Sequence, residues 1–481
     1  MIDKKQIKSW IEIHKQAFLA DAMELIRIRS VSEKCEDEYP YGQGCAKVLD
    51  KALELSARKG FDTENHAYHC GSAMLRGRSE REIGIFTHLD VVHEGTDWQC
   101  DPYQPYIQDG WLFGRGSADN KAPAMSALYA MSFLREQGIV LEHTIRLYFG
   151  CDEERGMEDI AYYTSHYQAP DFSLVPDAAF PVCYAEKGII EAELSTPLQG
   201  NICDFSAGIA PNSVPNNARI VLKSVTFEEA SNFLAEKKDF RVQEKNGVIE
   251  ISAAGRSAHA AFPEGSESAA VKLAQVLCEA PFIDGDAKAC LRFIGEALAD
   301  YHGEAMGIAC ADEVSGSLTM IGGMAFVKEG RLVQNINVRY PVSADQERLV
   351  NRIHACGKLY RWNVDWLHNN PPHCIDPQSM IVAALNTICC EVLQMEMEPY
   401  AMGGGTYARK LPNAVGYGPG IRGQAKPCPP GHGGGHQPDE CVLIDNLIKA
   451  IEIYIRAIVE LDRVLGKTGK KIRHERKGMV R

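Results

Sequence analysis

Residues 83–92, Ile-Gly-Ile-Phe-Thr-His-Leu-Asp-Val-Val, read as a largely buried strand running into a loop that bears His88 and Asp90. Residues 122–137 follow with Met125, Leu128, Met131 and Leu134 every three positions, a helix pattern. Residues 144–150 then alternate Ile145, Leu147 and Phe149 with Arg146 and Tyr148, so a strand ends just before Cys151-Asp152-Glu153-Glu154. A helix from 157 leads to a further strand at 172–176, ending at Pro176-Asp177. This strand–helix–strand order predicts an α/β sheet with helices on its faces. It also constrains where chemistry can sit, because such sheets bind ligands in the crevice beyond the carboxyl ends of their strands.

Amphipathic helices are expected ahead of this unit at 8–29 and 43–59, the second stopped by Gly60. From 189 the texture changes. Strand-like pieces at 189–195, 218–223, 248–254, 316–322 and 332–340 surround helix-like pieces at 227–238, 267–279 and 344–357, which suggests a smaller α+β domain. A helix at 378–394, a glycine-rich region and a final amphipathic helix at 440–463 then rejoin the first domain. The expected organisation is a first domain in two parts, 1–188 and 375–465, interrupted by an inserted domain at 189–374. A basic, disordered tail follows at 466–481.

The balance of 51 Lys+Arg against 64 Asp+Glu, a net charge of −13, argues against nucleic-acid or anionic-membrane binding, both of which need a cationic face. No apolar run approaches the ~18 residues of a bilayer span, and none of signal-peptide type follows Met1. The 16 cysteines, with no Cys-x-x-Cys spacing, read as reduced and mostly buried thiols rather than a structural zinc site. The cytoplasm is the expected compartment.

Each strand-end group has an ordinary reading when taken alone. His88 and Asp90 can be satisfied by backbone, Asp119 can cap the helix that follows it, and Glu153-Glu154 can be a solvated turn. Together, His88, Asp119, Glu153, Glu154 and Asp177 aim acid and imidazole groups at one crevice, and a cation is the simplest resolution of their repulsion. Asp90, two residues past His88, can reach behind the imidazole, the usual arrangement beside a ligating histidine.

The stretches Thr87-His88-Leu89-Asp90-Val91-Val92, Gly114-Arg115-Gly116-Ser117-Ala118-Asp119-Asn120-Lys121, Asp152-Glu153-Glu154 and Val175-Pro176-Asp177-Ala178 resemble the co-catalytic zinc metallopeptidases of the aminoacylase/carboxypeptidase G type. Within that family, Ala185-Glu186-Lys187-Gly188, Gly403-Gly404-Gly405-Thr406-Tyr407-Ala408-Arg409 and His436-Gln437-Pro438-Asp439-Glu440 look most like peptidase V-type (carnosinase-like) dipeptidases. The resemblance implies a phosphorylase/hydrolase-like catalytic domain with a central mixed sheet, interrupted by an α+β lid. It implies two divalent ions, Zn²⁺ first, with Mn²⁺ or Co²⁺ also suited to the ligands. Asp119 would bridge them, His88 and Asp177 would complete one shell, and Glu154 and His436 the other. Asp90 would orient His88, and Glu153 would be the general base toward the metal-bridging water.

His432 competes with His436 for the last ligand position. His436 is favoured because Gln437-Pro438-Asp439-Glu440 reads as a helix start, stiffer than the glycine-rich loop around His432. In the lid, His259 resembles the histidine that polarises the scissile carbonyl, and Asn217 and Arg339 the residues that clamp substrate. Gly404, Gly405 and Thr406 would offer groups to a substrate carboxylate, with a flexible turn as the alternative.

The reaction implied is hydrolysis of dipeptides with a free N-terminus. An N-acyl-amino-acid amidohydrolase or a carboxypeptidase is the alternative within the family, and an inactive metal-binding scaffold the alternative outside it. A lid of about 180 residues, domain-sized by itself, points to His259 acting within its own chain and hence to a monomer, with a homodimer as the alternative. Three departures stand out: His93 where the family has proline, read as a surface loop position; Ala122 where it has glycine; and a long Gly418–Gly435 segment.

Overall fold

The computed structural model describes residues 3–36 and 38–478, with side chains described as far as residue 466. The chain divides into two compact units. The first comprises residues up to Tyr184, Ile375–Tyr400 and the chain from Gly405 on; the second comprises Ala185–Cys374 and Ala401–Gly404.

The first unit is built on a mixed sheet. Six of its nine strands are β1 (Asp62–His66), β2 (Cys70–Leu75), β3 (Glu82–His88), β4 (Thr144–Gly150), β5 (Phe172–Val175) and β6 (Ala414–Gly416), consecutive in the order β1-β2-β4-β3-β5-β6. β3 runs parallel to both β4 and β5, and β6 parallel to β5, whereas β1 and β2 are antiparallel. The three central parallel strands are the near-continuous apolar runs expected of strands covered on both faces. Because His88 pairs with Gly150 in register, β3 and β4 end at the same edge, and their following loops open there together.

The helices of this unit are α1 (Lys4–Ile26), α2 (Gly42–Arg58), α3 (Lys121–Glu136), α4 (Glu158–His166), α5 (Met380–Leu393) and α6 (Ile444–Gly478). Every residue of α3 from Lys121 to Leu134 is buried, and α3 packs against both α1 and α6 in the main core. A helix apolar all round is what the small and aliphatic run Ala-Met-Ser-Ala-Leu-Tyr-Ala-Met-Ser dictates. Ala122 sits fully buried in its first turn.

The final helix begins later than its sequence suggests. Cys441–Leu443 is a strand paired antiparallel with Trp111–Phe113, and α6 starts only at Ile444. Cys441-Val442-Leu443 is apolar and partly β-branched, and a neighbouring edge strand claims it before the 3.6-residue pattern takes over. The backbone of α6 runs on through the basic segment to Gly478, and residues 479–481 of the expected tail lie outside the described residues.

The second unit is an antiparallel eight-stranded sheet covered by helices Phe227–Leu234, Ala269–Glu279, Gly285–Arg292 and Gln346–Leu359, around its own core. Strands Ile202–Ala207, Phe240–Lys245 and Asn363–Asn370 add to those read from the sequence. Phe240–Lys245 and Asn363–Asn370 are the two edges of the sheet. Their polar, exposed sequences Phe-Arg-Val-Gln-Glu-Lys and Asn-Val-Asp-Trp-Leu-His-Asn-Asn hide the strand pattern, as edges that must resist further pairing commonly do. The unit starts and ends side by side, since His373 and Cys374 pair with Glu186 and Ala185.

Among the described residues, no helix is long and apolar enough to cross a membrane.

Candidate metal centre

Seven of the residues singled out in the sequence converge at the carboxyl edge of β3, β4 and β5, all within the first unit. β3 ends on His88, which is fully buried. Its Nε2 lies 3.0 Å from Asp119 Oδ1 and 3.7 Å from Asp177 Oδ2. Behind the ring, Nδ1 is 3.0 Å from the Asp90 carbonyl oxygen and 3.4 Å from its carboxylate. The strand stops at His88, so Asp90 reaches the imidazole from the loop rather than from the same strand face, and its main chain makes the shorter approach.

The Asp90 carboxylate has a second task. Oδ1 accepts the Glu153 N–H at 3.1 Å and Oδ2 the Glu154 N–H at 3.0 Å, fixing the turn after β4. From that turn, Glu154 meets His436, whose Nε2 lies 2.9 Å from Oε2 and 3.2 Å from Asp119 Oδ2. Glu153 Oε1 is buried with no hydrogen-bond partner. Asp177 follows β5, and the Asn120 side-chain amide bridges to it, donating to the Pro176 carbonyl and, at 3.3 Å, to Asp177 Oδ1.

Three features of this geometry were not legible in the sequence. Glu440, read there as part of a helix start, is fully buried, and one of its oxygens accepts the N–H groups of Gly116, Ala118 and Asp119 at 3.1, 2.8 and 3.1 Å. Its other oxygen pairs with Arg115 Nη1 at 2.7 Å, so one carboxylate moulds the loop that presents Asp119. Secondly, the peptide between Asp119 and Asn120 is cis. Thirdly, His436 stands in a turn at φ 65°, not at a helix start; the Gly433 N–H to Pro438 carbonyl bond and the Gln437 N–H to Gly434 carbonyl bond close that turn.

His432 is engaged elsewhere, its Nδ1 lying 2.7 Å from Asp439 Oδ2. His93 is exposed, in line with its reading as a surface position. Within the long 418–435 segment, a Cβ added at Gly435 would come 3.1 Å from Asp119 Oδ2, so this backbone passes directly beside the cluster.

The donor atoms of His88, Glu153 and Asp177 all lie within 4.8 Å of one another, and so do those of His88, Asp119 and Glu154. On distance alone Glu153 is therefore as able to ligate as to act as a base. The electrostatics say what the cluster lacks. Burial pushes the Glu153 carboxyl well above its ordinary value, and facing Asp177 adds to the effect. Burial and Asp119 push Glu154 up to about 7 against the pull of His436. Burial opposes protonation of His436, yet the Asp119 and Glu154 carboxylates outweigh it and raise the imidazole to about 11. His88 is raised well above its usual range in the same way, by Asp119 and Asp177.

The half-buried acids Asp119, Asp177 and Glu154 thus draw protons onto two histidines, which is the pull a divalent cation would answer instead. Glu153 Oε1, buried and without a hydrogen-bond partner, faces the space into which His88 and Asp177 also offer donor atoms, and N/O donors of this type suit Zn²⁺, Mn²⁺ or Co²⁺. The residues fit a metal site.

The remaining candidates divide between the units. Thr406 belongs to the first unit, where its Oγ1 accepts the Ala408 N–H at 3.1 Å and caps the short helix Tyr407–Lys410. Gly405 belongs there too, and a Cβ on it would overlap the Arg409 guanidinium. His259, Asn217 and Arg339 belong to the second. His259 Nδ1 accepts the Ala261 N–H at 3.2 Å, which leaves the proton of the neutral ring on Nε2. Arg339 is buried, donating through Nε to Asn337 Oδ1 at 2.7 Å and through Nη1 to the Gly403 carbonyl at 3.2 Å. Asn217 is exposed, with its amide 3.1 Å from Asn216 Oδ1.

Comparison with known proteins places this geometry in context. The family described as Peptidase family M20/M25/M40 matches residues 84–460. A Beta-Ala-Xaa dipeptidase from Lactobacillus delbrueckii subsp. lactis is 31% identical over 477 residues, covering 95% of this chain and 98% of its own. Among solved structures, the Saccharomyces cerevisiae di-peptidase Dug1p aligns with a TM-score of 0.56 at 14% identity, covering 95% of this chain and 98% of its own. The M20 family metallo-carboxypeptidase Sso-CP2 from Sulfolobus solfataricus aligns with a TM-score of 0.57 at 16% identity, covering 93% and 99%. At these identities the structural matches establish a shared fold.

Proposed function

The chain belongs to peptidase family M20/M25/M40, and from that premise we propose that it is a metal-dependent dipeptidase acting on dipeptides with a free N-terminus. The observation that carries the reading is the convergence of His88, Asp119, Glu154, Asp177 and His436 around a half-buried Glu153 whose Oε1 is buried without a hydrogen-bond partner. The 31% identical relative, a Beta-Ala-Xaa dipeptidase matched along nearly its whole length, supports the substrate class.

In this reading two divalent ions would be held, one by His88 and Asp177 and the other by Glu154 and His436, with Asp119 serving both; Zn²⁺ is the favoured metal and Mn²⁺ or Co²⁺ the alternatives. Bound there, the ions supply positive charge that acidifies water and offsets the developing oxyanion. The chain's own groups do the rest. Asp90 fixes both the His88 ring and the Glu153-Glu154 turn. Glu153 accepts the proton of the attacking water on its unbonded oxygen and returns it to the leaving amine. His259, protonated on Nε2, donates to the scissile carbonyl oxygen as it gains charge. Arg339, Asn217, Gly405 and Thr406 grip the substrate, with the fork of Arg339 suited to a terminal carboxylate. The protein works as a cytoplasmic monomer.

The test compares wild type with Glu153→Gln, each stripped by chelator and reloaded with Zn²⁺ or Mn²⁺. Substrates are free dipeptides, N-acetyl amino acids and blocked peptides. Metal should restore cleavage of free dipeptides, and the variant should bind metal normally yet turn over about 10²- to 10⁴-fold more slowly. Preferential cleavage of N-acetyl amino acids would overturn the substrate assignment.

A further inference from the structure

Four consecutive amides of the turn after β4 end on two buried carboxylates. Asp90 takes those of Glu153 and Glu154. Asp159, at the start of α4, takes those of Cys151 and Asp152 on a single oxygen, Oδ2, at 2.7 and 2.9 Å. Its other oxygen accepts the Ile160 N–H at 2.7 Å. Asp159 is fully buried, and among the described residues no basic side chain pairs with it. The remaining partner is the hydroxyl of Tyr407, which donates to the same Oδ2.

Tyr407 is itself buried and immediately follows the Gly403-Gly404-Gly405-Thr406 run. Its ring stands edge-on to the His88 imidazole, with centroids 6.4 Å apart and an interplanar angle of 88°. The last residue of β4 is shaped around this bond: a Cβ at Gly150 would overlap the Tyr407 hydroxyl and crowd Asp159 Oδ2. Glycine is required there by close approach and not by an unusual backbone conformation, since Gly150 is absent from the positive-φ residues.

We propose that Tyr407 and Asp159 form a positioning pair that ties the segment bearing Thr406 to the turn bearing Glu153, and so sets where the base stands. The argument is geometric. Glu153 reaches the cluster only as far as its turn is held. Asp90 fixes the turn's second half; in its first half Ser32 Oγ and the Glu158 N–H hold the Asp152 side chain, while the backbone amides of Cys151 and Asp152 hang from Asp159, an acceptor that, among the described residues, only the Tyr407 hydroxyl holds from outside the turn and α4. A buried carboxylate that loses one donor shifts toward others or draws in water, and the amides bonded to the same oxygen shift with it. A displacement of the order of 1 Å at a reacting group is enough to cost about 10²-fold in rate. The pair also makes the grip on a substrate carboxylate near Thr406 and the alignment of Glu153 parts of one bonded chain. This inference rests on the reading of Glu153 as the base.

The experiment uses the full-length, metal-loaded protein with Tyr407→Phe, which keeps the ring and removes only the hydroxyl. Three results are expected: kcat on the best dipeptide falls about 10- to 100-fold; KM and bound metal per chain stay at wild-type values; and amide hydrogen exchange speeds up in residues 151–154 while the rest of the first unit is unchanged. Adding Asp159→Asn to Tyr407→Phe should cost little more than Asp159→Asn alone, because partners acting as a unit are not additive. Wild-type kcat in Tyr407→Phe, or a lowered melting temperature with unchanged exchange at 151–154, would overturn the pair. The exchange measurement needs no substrate, so it still decides the matter if the wild type proves inactive on dipeptides, an outcome that instead sinks the dipeptidase reading.

Discussion

Removing the Glu440 carboxylate would leave Arg115 charged in a space where neither side chain is more than 1% exposed, and would free three amides of the Asp119 loop. Breaking a buried pair from one side typically costs about 3–5 kcal/mol. Glu440→Ala should therefore lower the urea midpoint by an amount equivalent to that range. Because the freed loop presents Asp119, metal affinity measured by chelator competition should also fall, by about 10- to 100-fold, as when groups behind metal ligands are lost. Retained affinity in a destabilised Glu440→Ala would show that the carboxylate serves the fold alone. At this scale the sequence marks a residue where its neighbours announce it: His88, Glu153, Glu154 and Asp177 each sit at or just past the end of an apolar run, and the structure brings them together. Glu440 and Asp159 were not read so, because what marks them is a set of backbone N–H groups gathered from distant segments, and amides leave no trace in side-chain spacing.

Elements are joined by a few such polar contacts and by one core. Asp462 on α6 accepts the N–H groups of Glu142 and His143 at 3.2 and 2.8 Å and lies 2.8 Å from His143 Nδ1, which pins the entry of β4 to the last helix. Burial works against its ionisation, but those bonds outweigh burial and hold the carboxyl below its ordinary 3.8. A group held low in the fold stabilises it at every pH above the unfolded value, and that contribution fades as pH falls through the folded value. Asp462→Asn should therefore be less stable than wild type at pH 7, with the gap in urea midpoints narrowing once the pH drops below about 4. A gap of constant size across that window would contradict the assignment. In α3, Leu128 has no exposed surface, and Leu128→Ala should cost about 2–5 kcal/mol in the same assay. The sheet order follows from strands whose apolar runs were plain in the sequence, whereas the strand at Cys441–Leu443 was mistaken for the start of a helix. Three apolar residues carry no period, and their pairing with Trp111–Phe113 is a long-range fact.

For the whole molecule, the division into two units makes a prediction that neither unit makes alone. The second unit has its own eight-stranded sheet and its own core, and its entry and exit strands pair with each other at Glu186–His373 and Ala185–Cys374. A segment whose ends meet and whose apolar groups are satisfied internally has what an independent folding unit needs. Every proposed metal ligand lies in the first unit, so a divalent ion binds native first unit and has no direct hold on the second. Ligand binding stabilises only the transition in which its site is lost, by RT ln(1 + [L]/Kd), or about 2.7 kcal/mol at a hundredfold excess over Kd. Calorimetry of the intact chain should then resolve two transitions, and adding Zn²⁺ after chelation should raise one while leaving the other in place. Residues 185–374 expressed alone should reproduce the transition that metal does not move. If metal raised both transitions equally, or if the excised segment failed to fold, the units would be one cooperative body. The lid residues His259, Asn217 and Arg339 could then not be varied without disturbing the metal centre.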